Sequence, residues 1–225
     1  IAGNTENMTK ENLVAFKDGV YVKNGNRDAM RVKLVERVGS ADGDIVSTSY
    51  AKTFEDAVTT INNKADKNAY YEIQFIQSGT KEEPVVIMTT KKGTAYGAIT
   101  LPSKAAGVTI SGYALEENGD AVPCTVIKYT GTLKASCNVV FEKILLAEGK
   151  ADSKQPDGFA ESGIITPAPA NNVTMTFEED VYAWQDSVTE SMNADNSLVL
   201  GAINASKGNL VFNGNTVFTE KTITI

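Results

Sequence analysis

The sequence predicts an all-β fold assembled as a stack of similar units. Three observations predict it. First, a turn residue stands directly before a short β-type run four times. The copies are Gly107-Val108-Thr109-Ile110, Asn138-Val139-Val140-Phe141, Asn172-Val173-Thr174-Met175 and Asn209-Leu210-Val211-Phe212. The turn residues step by 31, 34 and 37 residues, a spacing that belongs to stacked supersecondary units. Second, each run follows another strand-like segment: Ile99-Thr100-Leu101, Val126-Ile127-Lys128-Tyr129, Ile164-Ile165-Thr166 and Leu198-Val199-Leu200. Third, the best helix in the chain, from Thr53 to about Ile61, is short and must be held by packing.

Residues 1–50 read as an N-terminal β segment and linker. Val20-Tyr21-Val22, then Asn24-Gly25, then Met30, Val32 and Leu34 on alternate positions predict a β-hairpin or small β subdomain. Gly39 to Ser49 reads as a loop. Its Asp42-Gly43-Asp44 lacks the remaining positions of a calcium loop and is taken as a turn.

Residues 51–225 read as the stack itself. Thr53 suits a helix N-cap, with Glu55 and Asp56 in the first turn, where acids suit the dipole. Phe54, Ala57, Val58 and Ile61 fall on one face, and Asn62-Asn63 reads as the stop. Tyr71, Ile73 and Phe75 alternate with Glu72 and Gln74 as a half-buried strand, and Val85-Val86-Ile87-Met88 as one covered on both sides. An Asn or Gly before each second strand predicts a left-handed bend there. Glu116 to Val122 and Lys150 to Ser162 read as loops leaving the stack. Thr222-Ile223-Thr224-Ile225 alternates up to the last residue, as in a piece of a longer ectodomain.

Composition narrows the function classes. The 225 residues are 42% hydrophobic and 22% charged, with net charge −7 and pI about 4.8. That acidic balance argues against nucleic acid, whose affinity comes mainly from Lys and Arg on phosphates. The arginines, Arg27, Arg31 and Arg37, all lie early. No apolar run approaches the roughly 20 residues of a membrane span, and no signal-peptide pattern opens the sequence. Histidine is absent, which removes the usual base of nucleophile triads and the commonest metal ligand. No metal site and no cofactor are expected. Cys124 and Cys137 can pair in an oxidising compartment, or sit as two small buried residues on neighbouring strands.

Two constellations stand out as candidate sites. Glu178-Glu179-Asp180 is the densest acid cluster. Neighbouring strand residues point to opposite faces, so it reads as a solvated bend rather than a glycosidase pair. Beyond it, strand parity from Val173, Met175 and Phe177 carries Val181 and Ala183 inward. Tyr182 and Trp184 then lie outward on one face, as a flat platform for a sugar ring or a partner protein. If the bend resets the parity, Trp184 is core instead. Asn7, Asn172 and Asn204 match the glycosylation acceptor pattern, which short Asn- and Thr-rich stretches produce by chance.

Tyr50 to Gln77, with Thr53-Phe54-Glu55-Asp56-Ala57-Val58 and Tyr71-Glu72-Ile73, resembles the capping helix and first strand of bacterial cell-surface proteins of the right-handed parallel β-helix class, the pectin-lyase-like adhesin type. The asparagine-then-apolar units are similar to the tight asparagine turns of β-helix coils. The resemblance covers roughly residues 50–225. It implies a right-handed parallel β-helix with a short N-terminal capping helix; a β-sandwich is the alternative. It implies an extracellular, surface-attached module. Carbohydrate-active members of the superfamily use clustered Asp with Arg or Lys, often with calcium. None of those residues carries over, since no Arg follows Arg37 and no Asp pair repeats at coil spacing. The expected function is therefore non-enzymatic: adhesion, binding of a glycan or host surface, or rigid spacing. A carbohydrate-active lyase or hydrolase is the alternative.

Overall fold

The structure is a computed structural model. It describes residues 13–15, 21–23, 31–76, 85–88, 91–92, 95–96, 98–117, 120–129, 131–151, 159–161, 165–183, 197–201, 203–205, 207–218 and 223–224. They form many strands and one helix, so the chain is all-β.

β1 (Leu13–Ala15) and β2 (Tyr21–Lys23) make an antiparallel hairpin. β3 (Val32–Val38), β4 (Ile45–Ala51), helix α1 (Phe54–Lys64) and β5 (Ala69–Phe75) follow. Next come β6 (Val85–Met88), the short pair β7 (Lys91–Lys92) and β8 (Ala95–Tyr96), and β9 (Gly107–Ser111). A hairpin, β10 (Ala114–Glu117) and β11 (Asp120–Pro123), precedes β12 (Thr125–Tyr129), β13 (Leu133–Ala135), β14 (Asn138–Glu142), β15 (Ile144–Ala151) and β16 (Phe159–Glu161). The rest are β17 (Pro167–Pro169), β18 (Thr174–Phe177), β19 (Val181–Ala183), β20 (Leu198–Leu200), β21 (Ile203–Asn204), β22 (Asn209–Phe212), β23 (Thr216–Phe218) and β24 (Ile223–Thr224).

The long sheet has seven strands in the order β22-β18-β14-β9-β5-β3-β4. β5, β9, β14, β18 and β22 are parallel, while β3 and β4 join antiparallel beyond β5. A second parallel ladder runs through β6, β12, β15 and β19. Further parallel pairs join β13 to β17, β20 to β23 and β21 to β24. The chain visits these ladders in a fixed order. From β9 the chain passes through β12 and β13 to β14, and from β14 through β15 and β17 to β18.

The register explains the core. Val108 pairs with Val139, Val139 with Met175 and Met175 with Leu210; Ile110, Phe141, Phe177 and Phe212 align in the same way. Period-two alternation then turns all of them to one side. Phe141 stacks on Phe177 with centroids 5.2 Å apart, and Phe177 on Phe212 at 5.5 Å. Val173 does not take the place in this register that the repeat assigns it. Met175 does, two residues later, although Val173 is buried in the same core.

The turn residues also differ from expectation. Only Asn172 among the four is left-handed, with φ 60°. Gly107, Asn138 and Asn209 are instead the first residues of their strands. Their shared position comes from the ladder: Gly107 pairs with Asn138, and Thr174 with Asn209. After β14 the left-handed residue is Lys143, with φ 53°.

Helix α1 closes on the core as its pattern predicts. Thr53 Oγ1 accepts the Asp56 N–H at 3.1 Å, and Phe54, Ala57, Val58 and Ile61 are buried. It includes Asn62-Asn63 and ends one residue later, at Lys64. Those residues stay off the apolar face, Asn62 Oδ1 accepts the Ser103 N–H at 3.0 Å, and the left-handed stop is Ala65. Residues 45–49, expected to be loop, begin β4. It is an edge strand, so its Ser- and Thr-rich sequence lacks the apolar alternation of a core strand. Among the described residues no helix is long and apolar enough to cross a membrane.

Candidate functional site

Because the apolar half of each parallel strand of the long sheet is committed to the core, the other half faces outward. Tyr70 begins this outer face on β5, beside Gly107 and next to Arg37 of β3. A Cβ on Gly107 would lie 2.7 Å from Tyr70 Cε2 and 3.0 Å from Cδ2. The missing side chain is thus the space the ring occupies, and the ring leans across β9 instead of standing upright. Its hydroxyl meets Thr109 Oγ1 at 2.7 Å, which fixes the far end. Burial raises the hydroxyl pKa; the Thr109 hydrogen bond acts against this and nearby carboxylates act with it. The half-buried Tyr70 keeps part of its surface in solvent.

Polar groups frame the ring. Arg37 Nε donates to Glu72 Oε1 in an ion pair, and Arg37 Nη1 donates to the Gly43 carbonyl at 3.0 Å. Gln74 Nε2 donates to Glu72 Oε2 at 2.7 Å. On the other side Asn138 is exposed, its Oδ1 accepting the Thr174 N–H at 2.9 Å. Both Glu72 oxygens are engaged, which suits holding a shape rather than moving a proton. The ring is thus an apolar plane bordered by amide, guanidinium and hydroxyl groups that can donate or accept hydrogen bonds.

Of the residues singled out from sequence, Tyr182 is placed as strand parity requires. Val181 and Ala183 are buried, and Tyr182 lies against Val126, Leu145 and Ala147 on the opposite side of the second ladder, half-buried. Trp184 lies outside the described residues. Cys124 and Cys137 are two buried thiols, and no disulfide joins them. Cys124 precedes a strand of the second ladder and Cys137 one of the long sheet, so the two head different sheets. Cys124 Sγ donates to the Val122 carbonyl at 3.3 Å and Cys137 Sγ to the Pro102 carbonyl at 3.1 Å. Burial pushes the Cys137 thiol up to about 11.

The acid run is a stitched turn. Asp180 Oδ1 accepts the Lys143 N–H at 2.8 Å from just after β14, and Glu178 Oε2 accepts Asn213 Nδ2 at 2.8 Å from just after β22. Among the described residues no group of three Cys, Asp or Glu gathers as a metal set. Sequence reasoning passed over Tyr70. The parity that sends Tyr71 inward also sends Tyr70 outward, but only the parallel register shows that Gly107 lies beside it.

A second polar cluster sits under α1. The buried Glu36 accepts from Ser47 Oγ at 2.6 Å, from Tyr71 OH at 3.2 Å and from Lys64 Nζ at the helix end. Desolvation by itself would raise the Glu36 pKa, but the Lys64 and Ser47 hydrogen bonds, the Lys64 charge and the Tyr71 hydroxyl together lower it. Tyr71 is pushed well up by burial and by Glu36. The cluster ties α1 to β3 and is structural. Because the folded pKa is depressed, its stabilisation is complete above the unfolded value, about 4.3, and is lost as pH falls through the folded value. Glu36→Gln is expected to cost about 1–3 kcal/mol at neutral pH. Lys64 is half exposed, so its ion pair is screened and adds little to that. The melting temperatures of the two proteins should stay apart at neutral pH and draw together only as pH falls below about 4.3; a gap that persists unchanged through acid pH would contradict the assignment.

Comparison with models of protein families, with curated proteins and with solved structures matched none of them.

Proposed function

We propose that the chain is a non-enzymatic, extracellular, surface-attached module that binds an extended glycan along the outer face of its long sheet. In this reading the ladders close into a right-handed parallel β-helix capped by α1, of the bacterial cell-surface type the sequence resembles. The fixed order in which the chain visits parallel ladders supports the helix. Parallel crossovers are right-handed in nearly all proteins, which supports its hand. The apolar face of α1, buried in the core shared by the long sheet, supports the cap.

The observation that carries the function is the Tyr70 ring laid across Gly107, its hydroxyl held by Thr109 and its edge flanked by the Arg37–Glu72 pair. A stacked ladder gives such a platform stiffness without a lid or hinge. Tyr182 on the second ladder, with Trp184 two residues on, offers a second aromatic position.

The test is a glycan and mucin array probed with the chain, with Tyr70→Ala, Tyr182→Ala and Trp184→Ala in parallel. Tyr70→Ala is expected to weaken glycan binding about tenfold, the 1.4 kcal/mol scale of one aromatic contact, with little change in melting temperature. Wild-type binding by Tyr70→Ala, or no glycan bound by the unaltered chain, would sink the reading. Incubation with uronic-acid polymers addresses the alternative, since turnover on the order of 1 per second would make the protein an enzyme.

A further inference from the structure

Among the described residues six large apolar side chains are exposed, between 38% and 61%. They fall at two places only. Val38, Ile45 and Val46 surround the start of β4, and Val211, Val217 and Phe218 lie on β22 and β23. Among the described residues β4 and β22 are the two edge strands of the long sheet, the positions where backbone N–H and C=O groups can take a further strand.

The polarity of these edges decides what fits them. β3 is antiparallel to β5, and β4 is antiparallel to β3, so two reversals leave β4 running parallel to β5. β22 also runs parallel to β5, through β18, β14 and β9. A second copy stacked in the same orientation therefore brings β4 alongside β22 as one more parallel strand. The register also places unlike charges together. Ile45 pairs with Arg37, Arg37 with Tyr70 and Tyr70 with Gly107, a level that reaches Asn209 on β22. Exposed Asp44, one residue before Ile45, then stands near exposed Lys207, two before Asn209, and Ile45 and Val46 come within two residues of Val211.

We infer that copies of this chain associate head to tail, the β4 edge of one adding to the β22 edge of the next and continuing the long sheet across the junction. The contact is heterologous, so each copy keeps one edge unused and the assembly grows as a filament instead of closing as a dimer. Its affinity is modest, because a single strand pair with a small apolar patch buries less than a standard interface.

Sedimentation velocity from micromolar to millimolar concentration tests this. The unaltered chain should give dimers, trimers and longer species that increase with concentration. Val46→Lys and Val211→Lys, each placing a charge on one edge, should each remain monomeric. An equimolar mixture should yield dimers and stop there, because Val46→Lys keeps its β22 edge and Val211→Lys its β4 edge. Ile45→Lys and Phe218→Lys serve as second variants if either of the first pair misfolds by near-UV circular dichroism. A chain that stays monomeric throughout overturns the inference and leaves these edges to strands of another molecule. A closed dimer, oligomers indifferent to both substitutions, or a mixture that stays monomeric overturns it as well.

Discussion

Phe141→Ala is expected to lower the unfolding free energy by about 3–5 kcal/mol, measured by urea denaturation. Phe141 is fully buried and stacks on Phe177, which in turn stacks on the half-buried Phe212. Removing the ring takes away its transfer free energy and opens a cavity in mid-column. The neighbours cannot collapse into it, since ladder hydrogen bonds on both sides hold their backbones in register. Phe212→Ala should cost clearly less, because that ring still meets water. Equal losses at the two positions would contradict a core that thins toward β22.

Gly112→Ala is the second large effect, on the order of 3 kcal/mol. A Cβ at Gly112 would lie 1.9 Å from the Lys143 carbonyl oxygen and 3.2 Å from Ile144 Cα. Both are backbone atoms where β14 gives way to β15, so no rotamer change relieves the contact. The Gly112 N–H donates to the Glu142 carbonyl at 3.0 Å, and the displacement strains that bond too. By contrast, Gly131→Ala meets no atom within 4 Å, and its cost is the left-handed φ of 89° alone, about 1 kcal/mol. If thermal melts ranked the two variants the other way, the close approach of Gly112 to the backbone of Lys143 and Ile144 would be wrong.

What was legible in the sequence followed from side-chain periodicity. The alternation of Tyr71, Ile73 and Phe75 and the single apolar face of Phe54 to Ile61 state which side faces the core and are buried so, and the recurring runs do the same except that Leu210 and Phe212 are half-covered. Register was less legible. Asn172 looks like Asn138 in sequence, yet a left-handed residue at Asn172 delays its strand, so Met175 takes the place assigned to Val173. β4 was hidden for a related reason, since an edge strand needs no apolar alternation. The Tyr70 platform depends on a glycine 37 residues away, a distance at which only the ladder makes two residues neighbours.

The core is covered unequally along the long sheet. At β5 the core is sealed by four buried helix residues and tied by the Glu36 cluster, whereas at β22 Leu210 and Phe212 are only half-covered. Stability in a stack is passed between nearest neighbours, so a gradient of this kind gives the molecule a direction. Under pulling or heat the chain should come apart as a zipper does, opening at β22 and travelling toward α1, with β5 and β9 the last ladder to part.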